Sequence, residues 1–253
     1  VTARGDELGE LARDVDGMAE RIERLLASRQ QLMRDMSHEL RSPLARLQAA
    51  LALAERKQPL PAIEYARIVT ELERMNQAIG DVLRFTRLEA EPIRAKHLLR
   101  IDELLQTLVE DERVEAGTRE VLLALDAAPD LTVVGDPALL RSGFENILRN
   151  AIRHAPPDTC IDIRATHEQA LGESPTDMVA ISIEYRGSGV PDDMLEKIFE
   201  PYTRLTSAGD DTTGTGLGLA IARRVFTAHD GQIHAEPAVP CGLRVRIQLP
   251  RAC

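Results

Sequence analysis

The sequence contains no run of roughly 18 to 20 consecutive apolar residues, the length a membrane-spanning helix needs, and no basic-then-apolar leader opens it. The 253 residues, 43% hydrophobic and 28% charged, therefore read as soluble globular protein with material for one large domain or two modest ones. An excess of basic charge is also missing. Lys and Arg number 31 against 41 Asp and Glu, a formal charge of −10, so nucleic-acid binding by bulk charge has no support. Cysteine is scarce: Cys160, Cys241 and Cys253 are odd in number, far apart and free of C-x-x-C or Cys/His spacing. Neither a disulfide framework nor a zinc site is expected, and a reducing cytoplasm fits. A periodic pattern is already running at Val1, as in a piece of a longer chain.

Glycine is nearly absent from the first 79 residues, where only Gly5, Gly9 and Gly17 occur, and long helices are the natural reading. Leu8, Leu11, Val15, Met18, Ile22 and Leu25 alternate in steps of three and four, the seam of a coiled coil or bundle. Leu40, Leu44, Leu47, Leu51 and Ala54 resume the alternation after a phase change around residues 28 to 36, and Pro59 and Pro61 stop the helix. A second helix from about Ala62 to Glu89 carries Ile68, Leu72, Met75, Ile79 and Val82. The two form an antiparallel hairpin with little core of its own, so two chains are expected to pair into a four-helix bundle.

After Pro92 short apolar runs alternate with amphipathic stretches, an α/β texture. Strands are predicted at His97–Ile101, Val121–Leu125, Leu131–Val134, Cys160–His167, Val179–Tyr185, Gln232–Glu236 and Leu243–Leu249. Helices are predicted at Asp102–Ala116, Pro137–His154, Asp192–Phe199 and Gly216–His229, and loops at 168–177 and 205–215.

Four clusters carry chemistry. In Ser37-His38-Glu39-Leu40-Arg41-Ser42-Pro43-Leu44, the seam residues Leu40 and Leu44 turn His38 and Glu39 toward the bundle flank. There an imidazole can attack a phosphoryl group through one nitrogen while the carboxylate holds or removes the proton on the other. Pro43 forfeits the hydrogen bond to the Glu39 carbonyl and can bend the helix beyond the histidine. Asn146 and Asn150, four apart, share one helix face, and their carboxamide oxygens can hold a hydrated Mg²⁺ that bridges triphosphate oxygens. Gly187-Ser188-Gly189 follows a strand and lets backbone approach a flat ligand. Gly214-Thr215-Gly216-Leu217-Gly218 runs into a helix whose N–H groups suit phosphate. Its spacing is neither that of a Rossmann turn nor that of a P-loop.

These clusters, in this order and with Phe199-Glu200-Pro201-Tyr202 between the glycine boxes, resemble the cytoplasmic part of bacterial sensor histidine kinases over residues 28 to 250. Ser-Pro-Leu-Ala-Arg-Leu-Gln after the histidine and Gly242-Leu243-Arg244 near the end are similar to the envelope-stress sensors of that family. The resemblance implies a HAMP helix and signalling coiled coil at 1–27, a dimerisation and phosphotransfer domain at 28–91, and a Bergerat (GHKL) α/β sandwich binding ATP at 96–253. A mobile hinge is expected near 90–96. Transmembrane and sensor segments would lie upstream of Val1, making this the cytoplasmic portion of an inner-membrane protein. His38 would accept the phosphoryl group, Glu39 would orient or deprotonate it, and Ser42 would position a water for dephosphorylating the partner. Asn146 and Asn150 would bind Mg²⁺, Arg153 would touch phosphate, His154 would lie near the adenine, and Arg204 would reach the γ-phosphate. Gly214, Gly216 and Gly218 would cradle the phosphates. The implied partners are a second copy of the chain and a cognate response regulator.

One position departs from the family pattern. Where the first glycine box has an aspartate that accepts a hydrogen bond from the adenine amino group, this chain has Tyr185. Glu184 cannot substitute, because neighbouring strand residues point to opposite faces. An unpaired buried donor costs roughly 1 to 3 kcal/mol, so impaired ATP binding is expected. A phosphatase-biased or binding-only signalling dimer is the first alternative, and a GHKL ATPase of the gyrase or chaperone type a remote one.

Overall fold

A computed structural model describes residue 51 and residues 62–90, 96–169, 177–204 and 215–252. His38, Glu39, Ser42 and Gly214, with the whole of the predicted first helix but Leu51, lie outside the described residues. The chain divides into two compact units, Val1–Ala90 and Glu91–Cys253. In the first, α1 spans Ala62–Ala90, as its three-and-four spacing predicts. Of its apolar stripe Leu72 is buried, whereas Ile68 and Met75 are 40% and 48% exposed within the single chain. No described helix is long and apolar enough to cross a membrane.

The second unit runs β1 (His97–Arg100), α2 (Ile101–Thr118), β2 (Val121–Ala127), β3 (Thr132–Gly135), α3 (Pro137–His154), β4 (Thr159–Gln169), β5 (Asp177–Arg186), α4 (Gly218–Ala228), β6 (Gln232–Pro237) and β7 (Gly242–Pro250). Five strands form one sheet in the order β2-β4-β5-β7-β6, parallel only between β2 and β4, while β1 and β3 pair antiparallel in a small second sheet. The period of two sets what faces the helices. Ile161, Ile163 and Ala165 of β4, Val179, Ile181, Ile183 and Tyr185 of β5, and Leu243, Val245, Ile247 and Leu249 of β7 are buried. The alternate residues form a polar face, on which Arg244 Nε donates to Glu184 at 2.7 Å and Arg246 pairs with Glu168. This is a two-layer α/β sandwich with helices on one side, as the sequence predicts.

Three expectations are corrected. Asp192–Phe199 forms two short 3₁₀ turns, Asp192–Met194 and Lys197–Phe199, not a helix. Eight residues bounded by Pro191 and Pro201 are too few to repay helix nucleation, and burial of Ile198 and Phe199 sets the local path instead. The last helix starts at Gly218 and not Gly216, because Gly216 has φ +69°, a left-handed conformation outside the helical basin. The loop expected at 168–177 is shorter, because β4 runs through Gln169 and β5 starts at Asp177.

α3 begins where predicted for identifiable reasons. Asp136 caps it, its Oδ1 accepting from Ala138 N (2.9 Å) and Leu139 N (3.0 Å), and Pro137 takes the first turn, where a missing N–H is harmless. The helix ends before Pro156 and Pro157. Below this cap His229, only 3% exposed, ties the end of α4 to the start of α3. Its Nδ1 donates to the Val225 carbonyl at 2.7 Å, and its Nε2 accepts from Asp136 N at 3.0 Å. The ring is therefore neutral, and burial holds its pKa below the ordinary histidine value, assisted by Lys96 and opposed by the Val225 carbonyl, Asp136 and Asp230.

That arrangement predicts an acid-sensitive fold. Unfolded His229 takes up a proton near pH 6.5, whereas the folded ring resists until lower pH, so its contribution is intact above pH 6.5 and falls as the pH drops through the folded value. The urea midpoint should decline from pH 7.5 to pH 5.5, and the decline should shrink in His229→Gln. An unchanged slope in that variant would place the acid sensitivity elsewhere.

Candidate nucleotide site

The described part of the site is built on α3, the end of β5 and the start of α4. The apolar stripe of α3, with Leu140, Phe144, Ile147, Leu148, Ala151 and Ile152 buried, leaves Asn146 and Asn150 half-buried on the helix flank. The Nδ2 of Asn146 donates to the Ser142 carbonyl at 2.9 Å, which fixes the carboxamide. Its Oδ1 then faces the first turn of α4: a Cβ placed on Gly218 would lie 3.1 Å from it. An amide oxygen and a helix N-terminus thus converge. Between Asn146 and Asn150, Arg149 turns the other way, its Nε donating to the buried Glu112 of α2 at 3.1 Å and its Nη2 lying 2.9 Å from Glu145. Burial lifts Glu112 above the ordinary carboxylate range, with Arg149 opposing that shift. This ion pair joins α3 to α2.

The first glycine box follows β5. Gly187 is pressed against α3, and a Cβ there would stand 2.8 Å from the His154 carbonyl, so only glycine permits the approach. Gly189 has φ +72°. Arg153 and His154, in the last turn of α3, are both exposed. Gly216 and Tyr202 lie back to back, with Tyr202 N donating to the Gly216 carbonyl at 3.0 Å, which joins the Phe-x-Pro-Tyr turn to the second glycine box. Arg204 is exposed at the edge of the described segment. Thus Asn146, Asn150, Tyr185, Gly187 and Gly218 gather around one end of the sandwich, with Gly216 tied in through Tyr202.

Sequence reasoning missed the way Tyr185 is held. The residue continues the buried series Val179, Ile181, Ile183 and is only 6% exposed, its Cε2 being 3.5 Å from where a Gly187 Cβ would stand. Burial raises the phenol far above its usual range, with the Asn150 side chain opposing that shift, so it stays neutral. Glu184 lies on the opposite face with Arg244. Thirty-five positions separate Tyr185 from Asn150, and the only available signal was the strand alternation that sends residue 185 inward.

Comparison with known proteins defines the class. Residues 135–252 match the family of histidine kinase-, DNA gyrase B- and HSP90-like ATPases, and residues 28–91 match the His kinase A (phospho-acceptor) domain. The chain belongs to the sensor histidine kinases, and within them it is CpxA-like. The sensor protein PfeS of Pseudomonas aeruginosa is 36% identical over 257 residues, covering 100% of this chain and 54% of that protein. The sensor histidine kinase CpxA of Escherichia coli is 33% identical over 235 residues, covering 92% of this chain and 49% of that protein. The crystal structure of full-length ShkA in complex with AMPPNP has a TM-score of 0.69 at 27% identity, covering 88% of this chain and 46% of that one. The chain spans about half the length of the curated relatives it matches.

Proposed function

We propose that the chain is the kinase region of a membrane sensor and acts as a homodimer, transferring the γ-phosphoryl of ATP to His38 and from there to an aspartate of a response regulator. The observation that carries this reading is the convergence of the Asn146 oxygen on the N-terminal turn of α4 inside an ATPase-family sandwich, in a chain that also bears a phospho-acceptor domain. Glu39 orients or deprotonates His38, and Ser42 positions the water that dephosphorylates the regulator. Arg153 and Arg204 serve as phosphate contacts, and His154 borders the base. The glycines 214, 216 and 218 give the phosphates a backbone cradle. The half-exposed Ile68 and Met75 on α1 supply apolar surface for a second copy of the chain.

Mg²⁺ and the adenine make separate demands on the residues present. Two neutral carboxamides suit a hard, hydrated cation already bound to triphosphate oxygens, and Asn146 directs its oxygen toward the phosphate end. Bound there, Mg²⁺ would supply charge neutralisation on the phosphates. The base end fits less well: a neutral, buried tyrosine occupies the position from which a carboxylate would accept the adenine amino group. That favours a second reading, a phosphatase-biased or binding-only dimer that docks the regulator and makes little phosphohistidine.

Incubation with γ-labelled ATP tests the proposal. Acid-labile, alkali-stable label is expected on the protein, weak with Tyr185 in place, stronger in Tyr185→Asp and absent from His38→Gln. Regulator dephosphorylation with no label in either the parent or Tyr185→Asp would favour the second reading. Nucleotide hydrolysis with no protein label and no effect on a regulator would instead indicate a simple ATPase.

A further inference from the structure

The five-stranded sheet has two edges, β6 and β2, and they are built differently. β6 carries His234, Glu236 and Pro237, residue types that discourage the addition of a further strand. β2 is apolar except for Asp126 and contains neither Lys nor Pro. Its neighbours fix the direction of its backbone groups. Ala128 N donates to the Ala165 carbonyl at 2.9 Å and the Glu120 carbonyl accepts from Asp158 N at 2.8 Å, so the even-numbered residues turn their N–H and C=O groups toward β4. Alternation along the strand then turns those of Leu123 and Leu125 outward, where no described residue bonds to them. The side chains of the same two residues lie half-exposed and, with Gln106, Val109, Glu110 and Arg113 of α2, line a groove of about 450 Å³. Free main-chain groups beside an apolar groove are the two features by which a sheet edge accepts an extended segment.

Charge selects the occupant. Around this edge Glu110, Glu120 and Asp126 make no ion pair with any described residue, and Arg113 is the base set against them. The whole chain carries a formal charge of −10, so a second copy would bring like charge to an acidic edge. We propose that the free edge of β2 and the groove beside α2 form a docking site for an extended segment of a partner protein, with apolar residues at alternate positions and Lys or Arg between them. The partner strand would bond to the main chain of Leu123 and Leu125 and place its apolar side chains in the groove. This site lies on elements other than α3, β5 and α4, so it stands or falls independently of nucleotide binding.

The test uses the full chain and two labelled synthetic peptides of one composition: Lys-Val-Arg-Val-Lys-Ile-Arg-Val, and a version with its apolar residues grouped at one end. The alternating peptide should bind saturably and about tenfold more tightly than the grouped one, since strand pairing is what distinguishes them. Leu125→Pro removes one outward N–H without touching the β4 ladder and should weaken the alternating peptide by about two- to tenfold, the range of one net hydrogen bond. Glu110→Lys, on the exposed groove wall, should weaken it by about two- to fivefold, an effect that fades as salt rises. In the free chain the Leu123 and Leu125 amides should exchange with deuterium faster than those of Leu122, Ala124 and Asp126, and should slow when the alternating peptide saturates. Equal affinities for the two peptides, unchanged binding in folded Leu125→Pro, or Leu123 and Leu125 amides that stay unprotected at saturation would each overturn strand addition. Should Leu125→Pro fail to fold, the exchange rates of the unaltered chain decide. Undiminished binding to Glu110→Lys at low salt would overturn the basic character of the partner. If the same two amides slow with rising protein concentration and no peptide, the occupant is a second copy and the proposal fails.

Discussion

Replacing Tyr185 with aspartate is expected to raise the affinity of this chain for ATP by about one to two powers of ten. A carboxylate at that position returns an acceptor for the adenine amino group, and the penalty it removes, a buried donor left unpaired, is roughly 1 to 3 kcal/mol. The smaller side chain also clears the space now filled by the ring, so the gain includes relief of steric exclusion. Stability should move in the opposite direction before ligand is added. Position 185 is 6% exposed, and a carboxylate placed there without its ligand is a buried charge lacking a compensating partner. Unliganded Tyr185→Asp should therefore melt below the parent and recover on adding ATP, by about 2.7 kcal/mol at a hundred times Kd. Titration with a fluorescent ATP analogue and thermal shift on the same samples read both effects. Equal affinities in the two proteins would show that the tyrosine does not obstruct the base.

The strands were legible because a sheet with one buried face writes its period of two directly into the sequence, as in Val179, Ile181, Ile183 and Tyr185 against Ala180, Ser182 and Glu184. α3 was legible end to end because Asp136, Pro137 and the Pro156-Pro157 pair are local signals. Features that depend on partners distant in sequence were not. Nothing near His229 announces that its two ring nitrogens are both engaged, since one partner is Asp136, 93 positions away. The influence of Asn150 on the buried Tyr185 phenol belongs to the same class. The two 3₁₀ turns over Asp192–Phe199 show a further limit, because a short amphipathic run between prolines does not distinguish a helix from tighter turns.

Phe144→Ala is expected to cost about 3 to 5 kcal/mol, the range for truncating a fully buried aromatic. Phe144 is 0% exposed and packs on Phe226 of α4 with ring centroids 4.9 Å apart at 56°, a tilted pair that adds to simple burial. Beside it, a Cβ on Gly143 would stand 3.0 Å from Phe226 Cζ and 3.1 Å from Val225 Cγ1, so the two helices are as close here as side chains allow. The resulting cavity cannot close by drawing α4 inward without collision at Gly143. Against a typical domain stability of about 5 to 15 kcal/mol, the loss leaves a marginal fold, measurable as a lower urea midpoint. Phe144→Leu, which retains most of the volume, should cost substantially less. The same pair of helices sets the spacing between Asn146 and Gly218, so nucleotide affinity should fall in Phe144→Ala even under conditions where the protein remains folded, and recover in Phe144→Leu. Unaltered affinity in folded Phe144→Ala would mean that the α3–α4 contact stabilises the sandwich without setting the site, and that the Arg149–Glu112 pair and the Gly187 approach suffice to hold α3 in place.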